Sequence, residues 1–392
     1  MFQLNLPRKL AAIAVFAALS TWSASAQQVK TVFVIAMENH NWTQPANQFT
    51  GTQQIFQNPN APFINSLVNG TSSIGSQVSY ATAYHNALAT ASGVNPHIHP
   101  SEPNYIWSEA GSNLGILDDN DPFAATKPSN QNTKEHLAGF LTAAGKTWKS
   151  YQEDIDLTPA AGGGLTNSPL PQSQWTVPLS SFSGNFVSGA NQFNGSTQFN
   201  YACKHNPQVF FTDTNGGDNP TTSNPLSGNY APLQQLFPDL TNNTVADYNW
   251  ITPDQFNDMH TSLNGGFMGL VGDAANIKQG DNFLSQVVPL IMASPAYQDN
   301  GVIVIWFDES ESDGVAGDNP DDFTHTLGEI IISPLAHPNV NGVPFASTVN
   351  YDHSSDLRTW EEVFGLSPLL RHSDDGNDVS DLFAAGAIPS QP

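Results

Sequence analysis

A single cysteine, Cys203, stands among the 392 residues, so no disulfide can form within the chain. Stability must come from a packed core, with bound metal as a further source, and the lone thiol reads as a small core hydrophobe. Positive charge is also scarce: 11 Lys and Arg face 35 Asp and Glu, a formal net charge of −24. Such a balance repels nucleic acid and anionic membrane surfaces. Beyond the first residues no stretch approaches the ~20 continuous apolar residues of a membrane span, which excludes integral membrane association. Internal repeats are missing as well.

What is present is enough apolar material, 39%, for a large core. Residues 1–26 carry Arg8 and Lys9, an apolar run from Leu10 to Leu19, and Ala24-Ser25-Ala26. That layout predicts a signal peptide cleaved after Ala26, hence a secreted or periplasmic protein, with 27–392 as one domain. Val29–Met37 and Gly301–Phe307 are near-continuous apolar runs, each ending abruptly in polar residues, Glu38-Asn39 and Asp308-Glu309. Runs of this kind predict strands buried on both faces of a parallel sheet, whose carboxyl ends are where sites form. Further strands are expected at 146–151, 208–212, 248–251 and 327–333. Helices are expected at 63–68, at 135–144, at 282–293 with Asp281 as N-cap, and from Ser354 or Ser355 to Phe364. The fold class is therefore α/β, a mainly parallel central sheet flanked by helices, with a loop-rich insertion at 155–200. Asp118-Asp119-Asn120-Asp121 reads as a solvated turn, since it lacks the glycine and distal glutamate of a calcium loop.

Ser101 lies between Pro100 and Pro103 and precedes an apolar-spaced run. It is placed at a helix entrance, where backbone N–H groups are free and an anion is favoured. A serine nucleophile also needs an activator. Glu38, Asn39, Asp308 and Glu309 with Ser101 form an all-oxygen set suited to one divalent metal ion, which would favour the alkoxide.

The pieces Val34-Ile-Ala-Met-Glu-Asn39, His99-Pro-Ser-Glu-Pro-Asn-Tyr105, Tyr151-Gln-Glu-Asp154, Lys204-His-Asn-Pro207, Asn257-Asp-Met-His260, Phe307-Asp-Glu-Ser310 and the run Leu357–Leu366 carry a resemblance. In this order they resemble the secreted phosphoesterase family, which joins acid phosphatases and phospholipase C type enzymes within the alkaline phosphatase-like superfamily. The resemblance implies an alkaline phosphatase-like fold, metal ligands at Glu38, Asn39, Ser101, Asp308 and Glu309, and Ser101 as the metal-bound nucleophile. It further implies phosphate-side histidines at His205 and His260, with Lys204 beside them, and a third at either His85 or His99; both remain open. Thr261 stands where close relatives carry an acid. The His-Pro-Ser motif is closer to the acid phosphatase branch, so a phosphomonoesterase working through a phosphoserine is expected, on small-molecule or lipid phosphate esters. Charged His205 and His260 imply an acidic optimum.

Two other functions compete: a phospholipase C type phosphodiesterase, and a non-catalytic secreted protein binding calcium or glycans. His40, His97, His337, His353 and His372 are read as structural or exposed, and His325 is left ambiguous. The acidic loop 311–322 reads as solvated. Asn41, Asn69, Asn194 and Asn242 begin Asn-x-Ser/Thr sequences that matter only in a glycosylating host.

Overall fold

The computed structural model describes residues 27–44, 54–87, 99–311, 323–339 and 341–389. The expected signal peptide at 1–26, His97 and all but the first residue of the acidic loop lie outside them. Twelve strands form, β1 (Thr31–Met37), β2 (Val78–Ala81), β3 (Trp148–Gln152), β4 (Leu157–Pro159), β5 (Leu165–Pro169), β6 (Phe182–Ser188), β7 (Gln198–Tyr201), β8 (Tyr230–Pro232), β9 (Tyr248–Thr252), β10 (Gly301–Phe307), β11 (Glu329–Ile332) and β12 (Phe345–Ser347). The helices are α1 (Pro62–Val68), α2 (Glu102–Ala110), α3 (Leu137–Ala143), α4 (Thr212–Asn215), α5 (Leu236–Asn242), α6 (Asp273–Met292), α7 (Pro295–Gln298) and α8 (His353–Phe364).

Eight strands make one sheet in the order β12-β2-β11-β10-β1-β9-β3-β8. Only the two pairings of β11 are antiparallel, so the sheet is mainly parallel. Its middle is β10-β1-β9, and every residue of β10 is buried. Continuous rather than alternating hydrophobicity follows from cover on both faces. On one side α6 runs close to the sheet. A side chain at Gly280 would overlap Met259 and Met37, so glycine sets how near the helix lies.

Four expectations give way to tertiary contacts. Residues 208–212 form no strand: Pro207–Phe210 is a 3₁₀ turn leading into α4. Thr214 Oγ1 and Asn215 Nδ2 donate to the carbonyls of Gln208 and Val209, and the apolar run is buried without a partner strand. Periodicity cannot separate such a turn from a buried strand. Asp281 lies inside α6, not at its start, and accepts from the Ile64 N–H at 2.9 Å. Asp352, not Ser354 or Ser355, caps α8, accepting from the Ser354 N–H at 2.8 Å while Ser355 Oγ accepts from the Asp352 N–H. The region 155–200 holds a second sheet, β4-β5-β6-β7, around Leu157, Phe186 and Phe199. Its polar, glycine-rich composition hid strands that bury only one face.

A buried charge triad ties α2, α3 and α4 together. His136 is fully buried, with Nδ1 3.0 Å from Glu109 Oε1 and Nε2 2.9 Å from Asp213 Oδ1. Carboxylates only accept, so both ring nitrogens carry protons. Burial opposes the charge, but the hydrogen bonds to Asp213 and Glu109 overcome it and raise the His136 pKa. The folded value thus exceeds the unfolded ~6.5, and the stabilisation, complete below that, fades as pH rises through the folded value. Urea unfolding from pH 5.5 to 9 is expected to show wild type losing this advantage over His136→Gln as pH rises. Parallel pH curves would contradict it.

Candidate active site

Glu38 and Asp308 meet because β1 and β10 pair in parallel and in register, Thr31 opposite Gly301 through Met37 opposite Phe307. Both strands end at one level. The Asp308 N–H still donates to the Met37 carbonyl at 3.2 Å, and the Asn39 N–H donates to Asp308 Oδ1 at 3.2 Å. Asn39 turns the chain with φ of 37°, a left-handed conformation that asparagine tolerates better than most residues.

Ser101 occupies the N-cap position of α2, yet its side chain makes no capping bond. The hydroxyl is left for the strand ends: Ser101 Oγ lies 3.1 Å from Glu309 Oε1 and 3.4 Å from Glu38 Oε2. Asn104 and Tyr105, three and four residues on, share that helix face. Asn104 Nδ2 donates to Glu309 Oε2 at 3.0 Å, and the Tyr105 hydroxyl donates to Glu38 Oε1. One helical turn thereby holds the nucleophile candidate and orients both glutamates.

Glu38, Asp308 and Glu309 are buried, with one oxygen of each within 4.8 Å of the others. Burial above all, then Glu309, raises Glu38 to about 8 against the lowering influence of Lys204. Asp308 is pushed well above the ordinary carboxylate range by burial, Glu38 and Glu309. Asn39 Oδ1 and Asp308 Oδ2 are buried acceptors with no donor among the described residues. Crowded carboxyls, unserved oxygens and a serine hydroxyl are the donor set a hard divalent cation takes, so the residues fit one. A second group, Glu153, Asp154 and Asp254, lies beyond β3 and β9. There the Glu153 oxygens accept from Asn191, Asn257 and the Asp254 N–H.

Lys204 faces the carboxyls with its side chain 16% exposed and Nζ 3.0 Å from Asp119 Oδ2. Burial alone would lower its pKa, but Glu38, Asp119 and Glu309 raise it, and it stays an ammonium. His205, expected as a phosphate-side group, lies deep in the site. It is wholly buried, with Nε2 3.0 Å from Glu38 Oε1, Nδ1 3.4 Å from Asp258 Oδ2, and its ring stacked on Tyr105. Burial, with Lys204 and His260 adding, holds its pKa well below 6.5. His260 is half-buried beside it, the ring centroids 6.0 Å apart, and Nδ1 lies 2.8 Å from the Thr261 hydroxyl. Burial first, then Lys204, lowers His260 to about 4. Burial thus disfavours the charged form of both histidines, while Lys204 is an ammonium beside the carboxyls.

The structure separates the two upstream histidines. His99 Nδ1 lies 3.1 Å from Glu309 Oε2, whereas His85 stacks on Phe323 and contacts the His325 carbonyl in a neighbouring cleft. Four residues with no role in the sequence reading also belong to the site. Asn104 and Tyr105 were legible from the Ser-x-x-Asn-Tyr spacing. Asp258 faces His205, and its signal was the Asn-Asp-Met-His run. His353 was read as structural or exposed; buried, its Nε2 donates to the Asp308 carbonyl at 2.6 Å, and no sequence signal marks that contact.

The arrangement is that of an α/β protein with a serine set among buried carboxyls at the ends of parallel strands. Residues 15–367 match the model of the phosphoesterase family, and the chain belongs to that family. A probable acid phosphatase of Kluyveromyces lactis is 26% identical over 281 residues, 71% of this chain and 52% of the relative. A phosphatidylinositol-3-phosphatase of Mycobacterium tuberculosis is 24% identical, covering 96% of this chain and 94% of the relative. The chain thus spans about half the length of the yeast relative and nearly all of the mycobacterial one. Among solved structures, an alkaline phosphatase superfamily protein from Vibrio parahaemolyticus overlays with a TM-score of 0.44 at 10% identity, covering 91% of this chain and 73% of that one. Among the described residues no helix is long and apolar enough to cross a membrane.

The crowding of carboxyls sets an expectation for cations. At a hundredfold excess over Kd, a divalent ion bound to the folded state alone adds about 2.7 kcal/mol of stability. Thermal melts with manganese, zinc, calcium and magnesium should show an upward shift for at least one ion in wild type and a much smaller shift in Asp308→Asn. Equal shifts in both proteins would place the ion elsewhere.

Proposed function

We propose that the chain is an exported, metal-dependent phosphomonoesterase of acid phosphatase type, with residues 27–392 as its working unit and Ser101 as nucleophile. The observation that carries this reading is the Ser101 hydroxyl, which leaves its own helix uncapped and lies against Glu38 and Glu309. Glu38, Asn39, Ser101, Asp308 and Glu309 would hold a divalent cation, whose Lewis acidity would favour the serine alkoxide.

The chain's own residues supply the rest. Lys204 presents its ammonium to a phosphoryl oxygen, where charge must be neutralised in the transition state. Ser101 Oγ bonds to phosphorus as the ester oxygen departs with a proton, and water then splits the phosphoserine to phosphate and free serine. His205, between Glu38 and Asp258, acts as a positioning residue for Glu38. The half-buried His260 is the imidazole available on the leaving-group side, with Thr261 fixing its ring. His99, against Glu309, is the better placed of the two upstream histidines. Small-molecule or lipid phosphate monoesters are the substrate class.

Assays on p-nitrophenyl phosphate and its bis ester, with and without chelator, test this. Ser101→Ala is expected to lose at least ~10³-fold in kcat/KM on the monoester. Acid-quenched wild type should carry phosphate on Ser101. Preference for the bis ester would favour a phospholipase C type diesterase, and an inert wild type a binding protein.

Replacing His205 tests its positioning role. His205→Asn should lower kcat and weaken metal binding together, since it loosens Glu38, while KM for the monoester stays within about threefold. A rise in KM alone would return His205 to direct contact with phosphate.

A further inference from the structure

The acidic turn at 118–121, expected to be a solvated loop, is joined to the site at both ends of one carboxylate. Asp119 Oδ1 accepts from the Glu102 N–H at 3.1 Å, at the first turn of α2 beside Ser101. Asp119 Oδ2 accepts from Lys204 Nζ at 3.0 Å. A second tie runs parallel to it: the Ser181 N–H and hydroxyl contact Asp121 Oδ1 at 3.3 and 3.2 Å, and Ser181 Oγ accepts from the Cys203 N–H at 2.8 Å. Cys203 and Lys204 share one short 3₁₀ turn, Cys203–His205, so the element that carries the ammonium is fixed to 118–121 at two points.

We propose that Asp119 is a positioning residue: it locks the Lys204 ammonium to the start of the helix that carries Ser101, so that cation and nucleophile keep one spacing. A lysine has a flexible four-carbon stem and does not hold a geometry by itself. An ammonium offers three donors; one goes to Asp119, and two stay free for phosphoryl oxygens. Asp119 itself is about one-third exposed, so it lies at the mouth of the site and not in the core. Because its two oxygens serve different elements, its loss would uncouple Lys204 from Ser101 without removing either.

This inference rests on the phosphatase reading, and the test separates the two. Asp119→Asn keeps an oxygen for the Glu102 N–H but removes the charge that holds Lys204. Steady-state kinetics on p-nitrophenyl phosphate, with inorganic phosphate as competitive inhibitor, are expected to show KM and the phosphate Ki raised together by about three- to tenfold, with kcat within about twofold. Asp119→Glu should recover part of the loss. In a Lys204→Ala background, Asp119→Asn should add nothing further. Asp118→Asn, on the same turn but paired 3.8 Å away with Lys127, should leave both constants unchanged. Multiplicative effects of the Asp119 and Lys204 changes, or equal shifts in Asp118→Asn, overturn the positioning role in an active enzyme. A wild type inert on every phosphoester overturns the phosphatase reading and this role with it.

Discussion

Carboxyl groups buried side by side are the constraint on which this structure depends. Glu38, Asp258, Asp308 and Glu309 are all buried in one small region, and burial together with neighbouring carboxylates raises the pKa of Glu38, Asp258 and Asp308. Each neighbouring element answers that strain. The Asn39 N–H, the Tyr105 hydroxyl and Asn104 donate to the carboxyl oxygens, His205 fills the space between Glu38 and Asp258, and Lys204 supplies a full positive charge. Even the backbone is fixed from behind, since His353 holds the Asp308 carbonyl and is itself packed against Trp306 and Tyr84.

Much of the centre was legible in the sequence because the sheet leaves a strong mark. A run buried on both faces that stops at an acid reveals a strand end, so Glu38 and Asp308 stood out, and Ser101 between prolines revealed the helix entrance. Helical spacing within the same motif also carried Asn104 and Tyr105, but an apolar reading of Tyr105 concealed its hydroxyl. For His205 the sequence shows that a histidine is near but not which way it faces, and burial, which lowers its pKa, comes only from the packed structure.

Asp119 illustrates what the sequence withheld. Four polar residues in a row look solvated, and only the packing of α2 against the Cys203–His205 turn makes a clamp of one of them. The small sheet at 157–201 was hidden likewise, because strands that bury one face around three apolar residues leave little hydrophobic signal.

The order of strands across the main sheet has a consequence for synthesis. β1 is the first strand to leave the ribosome, but both its neighbours, β9 and β10, begin at residues 248 and 301. Glu38 therefore waits through most of translation before Asp308 exists to stand beside it. Such long-range pairing slows folding, and a chain that stops before Asp308 lacks the paired acids. The paired acids thus come into being only when β10 closes against β1.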